Sequence, residues 1–374
     1  MSAKAMEPLG PRPEAVDYVV TSRPDAHGET ALPADTLAWL TSAENPAVAV
    51  MTRRELLGEE ASGELEALWA RRNEYEPVAA ILAAMREDGS WGTPSRDYQK
   101  YHDGSLWQVH FLGELWADGS DERIGRAAAY AFSRQVADGS WSCNGRPVAS
   151  IPCLTANVGR ALARLGYARD ERVVHALASI ANGVRDRGFL GCSREMASIT
   201  LNGYCHMVAP KILLFLGEVP RDAWPDGAEE LLGECVRVLR EREVFRCLPA
   251  GSRDFADAAY TTRKAEHPVK RDDWIAEHGP LVYGPKPGWL RFGYPLSYNS
   301  DALEAPWALM RVGEPMRPEY EAALSVVRDA ADEQMRWTLR TSLNGKMIAN
   351  IEAKGRPSRW LTLRALRVLA HFAE

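Results

Sequence analysis

The sequence predicts an all-α fold, an (α/α)6 toroid in which a barrel of inner helices stands within a ring of outer helices. Three observations lead there. A short motif returns at a period of about 50 residues. Helices with one apolar face alternate with more charged ones, and no segment reads as a sheet-forming strand.

The motif is clearest in "EDGSW", which ends at Trp91, and in "QVADGSW", from Gln135 to Trp141, so that the two tryptophans lie 50 residues apart. Degenerate copies are "DRGFLGC" from Asp186 to Cys192 and "DEQMRW" from Asp332 to Trp337. Its Asp-Gly pair suits a tight turn, and its Trp is expected to pack on the next repeat, so the motif is scaffold rather than chemistry.

The inner helices are expected over 103–118, 153–166, 205–217, 300–313 and 358–372, with a sixth, weaker candidate over 45–58. Each carries apolar residues at i, i+3, i+4 and i+7, and several end in Gly, the usual residue beyond a helix C-terminus. More charged segments at 64–86, 121–135, 170–181, 228–242 and 319–334 are the outer helices, with Asp121 and Asp170 as N-caps. Residues 1–34 have little pattern and read as a flexible arm before a single toroid domain at 35–374. The stretch 244–295 is too long for a structureless loop, is rich in Pro, Gly and aromatics, and reads as a lid across one mouth.

Composition narrows the function class. The chain has 374 residues, is 46% hydrophobic and carries a formal charge of −6, which argues against a nucleic-acid binder that works by neutralising phosphates. Mean hydropathy is −0.31 and no run approaches the ~18 apolar residues of a membrane span, so contact with a membrane would be peripheral. No secretory signal is visible, and a cytoplasmic protein is expected. Twelve Trp exceed what a core usually needs, and such an excess lines a pocket or follows a repeat, as the DGSW-type repeat here does. Nothing points to an oligomeric state.

"QVADGSW" resembles the QW repeat of squalene and oxidosqualene cyclases, and the resemblance extends as a repeat architecture over most of 45–374. The same toroid serves protein prenyltransferase β-subunits. "KPGWLRFGYPLSYNSDALEAPWAL" and "GRPSRWLTLRALRVL" are similar to a bacterial and archaeal branch of that superfamily. The resemblance implies a terpenoid-cyclase-like enzyme acting on an isoprenoid or polyene-like substrate, through cyclisation, isomerisation or lyase chemistry. The expected acid motif is missing, however. Cyclases of this kind protonate an alkene with an Asp-x-Asp-Asp motif, and the nearest strings here are "DFAD" (Asp254, Asp257) and "RDDW" (Asp272, Asp273).

Other residues at the starts of the inner helices are the candidates. Asp103 is an acid or an N-cap, with Tyr101 and His102 beside it as proton-handling partners. Asp301 and Glu304 lie about one turn apart and form a second acid pair. Trp107, Trp289, Phe292, Tyr294, Tyr298 and Trp360 are candidates to line the substrate site, where aromatic faces stabilise a cation by about 2 kcal/mol when desolvated. Arg291 joins them, and with Lys286, Lys354 and Arg356 it either grips an anionic group or forms a solvated rim. Cys153, Cys192, Cys205 and His206 are candidate zinc ligands, since thiolates and imidazole suit that ion and three ligands leave a position for water or substrate. Lanthionine cyclases and prenyltransferases of this architecture also bind zinc, but only the Cys-His pair is similar here. Buried thiols, or a reactive Cys, are the other readings of the same residues. A zinc enzyme of thiol alkyl transfer or thioether formation, and a non-catalytic toroid that binds a lipid or peptide, are therefore the alternatives.

Overall fold

A computed structural model describes residues 32–98, 101, 103–143, 150–188, 190–191, 207–246 and 288–373. The helices are α1 (Ala34–Leu40), α2 (Pro46–Met51), α3 (Gly63–Ala70), α4 (Glu76–Ala83), α5 (Ser105–Glu114), α6 (Glu122–Ser133) and α7 (Pro152–Leu162). They continue as α8 (Glu171–Arg187), α9 (Val208–Leu216), α10 (Ala228–Glu241), α11 (Glu304–Arg311), α12 (Glu321–Asp329) and α13 (Arg359–His371). Among the described residues the chain pairs only as isolated bridges and forms no strand.

The inner barrel follows the order α2, α5, α7, α9, α11, α13. From α5 onward each helix packs on the next, and α13 packs back on α2. The inner helices run in one direction, because each returns through an outer helix before the next begins. Their apolar faces are almost wholly buried: every residue of α5 and α9 is inside. Two glycines permit the close approach of neighbours. A Cβ at Gly113 would lie 2.5 Å from the Ala161 Cα, and one at Gly159 would lie 2.4 Å from the Phe215 ring.

The Trp turns fasten outer to inner helices by one repeated device. The indole N–H of Trp91 donates to the Ile81 carbonyl (2.7 Å), that of Trp141 to Ala131 (2.8 Å) and that of Trp337 to Val327 (2.7 Å), each ten residues back in the preceding outer layer. The backbone N–H of the same three tryptophans donates to the hydroxyl of Ser105, Thr155 and Thr362, at or near the start of the following inner helix. Each Trp thus ties an outer helix to the next inner one while satisfying its own buried N–H. Asp88 and Asp138 close the turn by accepting from the N–H and hydroxyl of Ser90 and Ser140. Gln135 reaches further, donating to the carbonyls of Gly139 and of Arg172 on α8.

Gly89 and Gly139 have φ of 81° and 88°, and the third turn places Met335 at the same position with φ of 56°. At the fourth copy Gly188 (φ 74°) ends α8, and Cys192 lies outside the described residues.

The helix boundaries follow local chemistry. Asp121 and Asp170 cap α6 and α8 by accepting from the N–H of Arg123 and Arg172. The expected outer helix at 64–86 is corrected to two. Its interruption at Arg72–Glu74 seats the Arg72 guanidinium over Trp69 and on the Trp116 carbonyl, and Pro77, which lacks an N–H, sits in the first turn of α4. α1 lies where the sequence pattern is weak. Of the arm and the lid, residues 1–31 and 247–287 lie outside the described residues. No helix among the described residues is long and apolar enough to cross a membrane.

The glycines of this frame are unequal. A Cβ at Gly139 would stand 2.6 Å from the His175 carbonyl oxygen at positive φ, whereas Gly125, inside α6, has open space around it. Gly139→Ala is expected to cost at least about 2 kcal/mol, while Gly125→Ala stabilises by about 0.5–1 kcal/mol. Urea unfolding of the two variants checks this.

Candidate functional site

The interior of the barrel divides into three levels. At the N-terminal ends of the inner helices lies an aromatic mouth built around Trp107 of α5. The ring centroids of Tyr101, Tyr98, Phe111 and Tyr298 stand 4.8, 5.6, 6.3 and 6.3 Å from that of Trp107. The Trp107 indole donates to the Tyr98 carbonyl, which fixes the ring in place. Tyr298 is 41% exposed, so this cluster opens to solvent. The Tyr101 phenol shares a 2.9 Å hydrogen bond with the Ser297 hydroxyl, and burial pushes its pKa well above the ordinary range. Asp103 is half-buried two residues before α5 and lies against Gly92. It does not cap α5: Gly104 occupies that position, and no side chain caps the helix.

Below the mouth, the chain itself enters the barrel. The segment 293–298 touches inner helices that are not all neighbours. Asn157 of α7 donates to the Ser297 carbonyl (2.7 Å), and His110 of α5 lies 3.1 Å from the Leu296 carbonyl. Because a carbonyl only accepts, His110 Nε2 carries the hydrogen there. Burial pulls the His110 pKa down to about 4, so the ring is neutral at pH 7. Tyr294 reaches deepest: its hydroxyl donates to the Glu114 carbonyl (2.6 Å), and its ring stacks on Trp360 of α13 at 5.0 Å.

The lowest level is ionic. Glu114 of α5 accepts from Arg364 of α13 (2.8 Å) and pairs with Arg160 and Arg164 of the α7 segment (2.8 and 3.4 Å). Arg164 also meets Glu218, which faces Arg311 at 3.5 Å. Arg367 pairs with Glu55. Burial alone would raise the Glu114 pKa, but Arg160, Arg364 and Arg164 outweigh it and hold the carboxyl well below the usual carboxylate range. Burial, reinforced by Arg164, lowers Arg160 to about 10. Nearer the mouth, both Glu304 oxygens accept from Lys211 at 2.6 Å, so Glu304 is an ion-pair partner rather than half of an acid pair. Just before α11, Asp301 accepts from the N–H groups of Leu303 and Glu304, and it also accepts from Gly293; burial and the nearby Glu304 raise its pKa to about 6.

The residues singled out in the sequence therefore separate. Tyr101, Trp107 and Tyr298 meet at the mouth, joined by Tyr98 and Phe111, and Asp103 lies against Gly92 just before α5. Tyr294 and Trp360 pack on each other in the interior, Trp289 and Phe292 are buried at the base of the entering segment, and Arg291, Lys354 and Arg356 are exposed. His102, Cys192, Cys205, His206 and Lys286 lie outside the described residues, as do "DFAD" and "RDDW". Cys153 is half-buried in the first turn of α7 and close enough to Tyr101 to disfavour ionisation of its phenol. Among the described residues no three of His, Cys, Asp and Glu gather as a metal site. Sequence reasoning passed over His110, Glu114, Asn157, Arg160 and Arg164. The available signal was polar residues at helical spacing on faces otherwise apolar.

No protein-family model matches the sequence, and no curated protein matches it. Among solved structures, the chain is similar to the apo form of the type II terpene cyclase MstE from Scytonema, with 13% identity, TM-score 0.34, and coverage of 81% of this chain and 98% of that one. It is similar also to an arginine-to-alanine variant of MstE in complex with its substrate, geranylgeranyl dihydroxybenzoate, with 14% identity, TM-score 0.33, and coverage of 81% and 97%.

Glu114 carries the central test of this interior. Glu114→Gln leaves three buried guanidiniums short of a counter-charge and is expected to cost about 3–5 kcal/mol. Since its folded pKa lies below the unfolded value, the stabilisation it provides is complete above about pH 5 and is lost as pH falls further. Urea midpoints of wild type and variant should therefore differ most at neutral pH and converge on acidification.

Proposed function

We propose that the chain is an enzyme acting on a hydrophobic, isoprenoid- or polyene-like small molecule held at the aromatic mouth. The observation that carries this reading is the set of rings around Trp107, which Asp103 precedes by four residues in the chain and which opens to solvent at Tyr298. Ring faces at that spacing offer apolar contact to a branched hydrocarbon and cation–π attraction to a positive charge formed on it. In this reading Asp103, assisted by Tyr101 and His102, gives its proton to an alkene carbon. Loss of a proton from a neighbouring carbon back to the carboxylate ends an isomerisation or cyclisation with no net change in atoms.

The test is incubation with isoprenoid alcohols and their diphosphates, followed by product analysis by gas chromatography and mass spectrometry. Asp103→Asn is expected to lower turnover by about 10²-fold or more, as loss of a general acid does. Tyr298→Ala, at the exposed rim, should weaken binding by about tenfold while leaving the acid in place. Undiminished product from both Asp103→Asn and Asp301→Asn would sink the acid assignment. A molecule that binds and returns unchanged would make the chain a carrier.

The place of Cys153 favours a second reading. Its thiol stands near Tyr101 at the same mouth, in the first turn of α7. Zinc held by Cys153 with Cys192, Cys205 and His206 would activate a thiol or water as nucleophile. Elemental analysis decides it: about one zinc per chain, lost in Cys153→Ala, is the expected result, and metal-free wild type removes the reading.

A further inference from the structure

The depth of the site can be read from the segment that enters the barrel. Exposure is 41% at Tyr298 and falls to 2% at Ser297, 6% at Leu296 and 1% at Tyr294. The α5 residues met along the way are Trp107 beside Tyr298, His110 at the Leu296 carbonyl and Glu114 at the Tyr294 hydroxyl. From 107 to 114 the helix rises about 10 Å, in an α5 whose ten residues span about 15 Å. Below the His110 level the chain's own residues thus take about 6 Å of the bore beside α5, with the ionic cluster beneath them.

The segment is anchored along its length. Besides its ties to His110, Asn157, Tyr101 and Glu114, Gly293 donates to Asp301, and the Phe292 carbonyl accepts from the N–H groups of Arg340 and Thr341. Leu296 is buried at the level where the mouth ends, with its Cδ2 close to Gly293.

Resting on the proposed function, we propose that Ser297 and Leu296 form the floor of the binding site and set the size of its ligand. What remains above them is about one helical turn, or 5 Å. That room holds a short branched apolar group of about one isoprene unit, and any longer tail stays outside the barrel.

Two experiments test this, and they fail separately. The first is independent of any ligand: cysteine variants Tyr298→Cys, Leu296→Cys and His110→Cys are treated with a small methanethiosulfonate reagent, with wild type as the background. Fast modification at Tyr298→Cys with protection at Leu296→Cys and His110→Cys is expected, and equal rates at Tyr298→Cys and His110→Cys would overturn the floor. The second titrates geraniol, farnesol and geranylgeraniol by tryptophan fluorescence. A closed floor predicts affinities within about threefold of one another, whereas a deep bore gains about tenfold or more per added unit. Leu296→Ala should then raise the affinity of geraniol and farnesol alike, by up to about tenfold. If no alcohol binds while His110→Cys stays protected, the proposed substrate class fails and the floor stands.

Discussion

A buried carboxylate holds the interior together. Glu114 stands where α5, the α7 segment and α13 converge, and it is the shared partner of Arg160, Arg164 and Arg364. Removing any of these charges from water is expensive, and attraction between them offsets that cost only when the partners are all present. The arrangement is therefore strict: α5 cannot slide along its axis, nor α13 rotate, without stranding a charge. The entering segment depends on it too, because Tyr294 donates to the Glu114 carbonyl while its ring lies under the Arg364 guanidinium at 4.6 Å.

The outer layer is set by different chemistry. Each Trp turn uses one indole and one backbone N–H to bind two helices of opposite direction, which fixes the lateral order of the ring. The ion cluster fixes its axial register. The two devices act at right angles, and together they leave the mouth as the place where function can vary without loss of the fold. The aromatic residues there are held from below by Ser297 and from the side by the Tyr98 carbonyl.

The fold was legible because its signals are local and repeated. A 50-residue period, an apolar stripe and Asp caps each report on a few neighbouring residues, so the alternation of helices could be read directly. The break at Arg72–Glu74 was not, since it is chosen by contacts to Trp116 and Asp118, more than forty residues away. The aromatic cluster of the candidate site was legible in part for the same reason. Trp107 and Tyr101 share a stretch of chain and meet at the mouth. Tyr294 carries the same residue type as Tyr298, yet the two lie at opposite ends of a segment whose path is set by hydrogen bonds to α5 and α7. Glu114 and Arg160 look like breaks in an apolar pattern until the barrel brings them together.

The common direction of the inner helices has an electrostatic consequence. Each helix carries about half a positive charge at its N-terminus and half a negative one at its C-terminus, and side by side these ends do not cancel but add. The barrel is therefore polar along its axis. Near its lower end, Arg160, Arg164, Arg311, Arg364 and Arg367 outnumber Glu55, Glu114 and Glu218, an excess of cations that the converging carbonyl ends help to neutralise. At the mouth the sign is reversed, and the N-terminal ends of the inner helices add a positive field there.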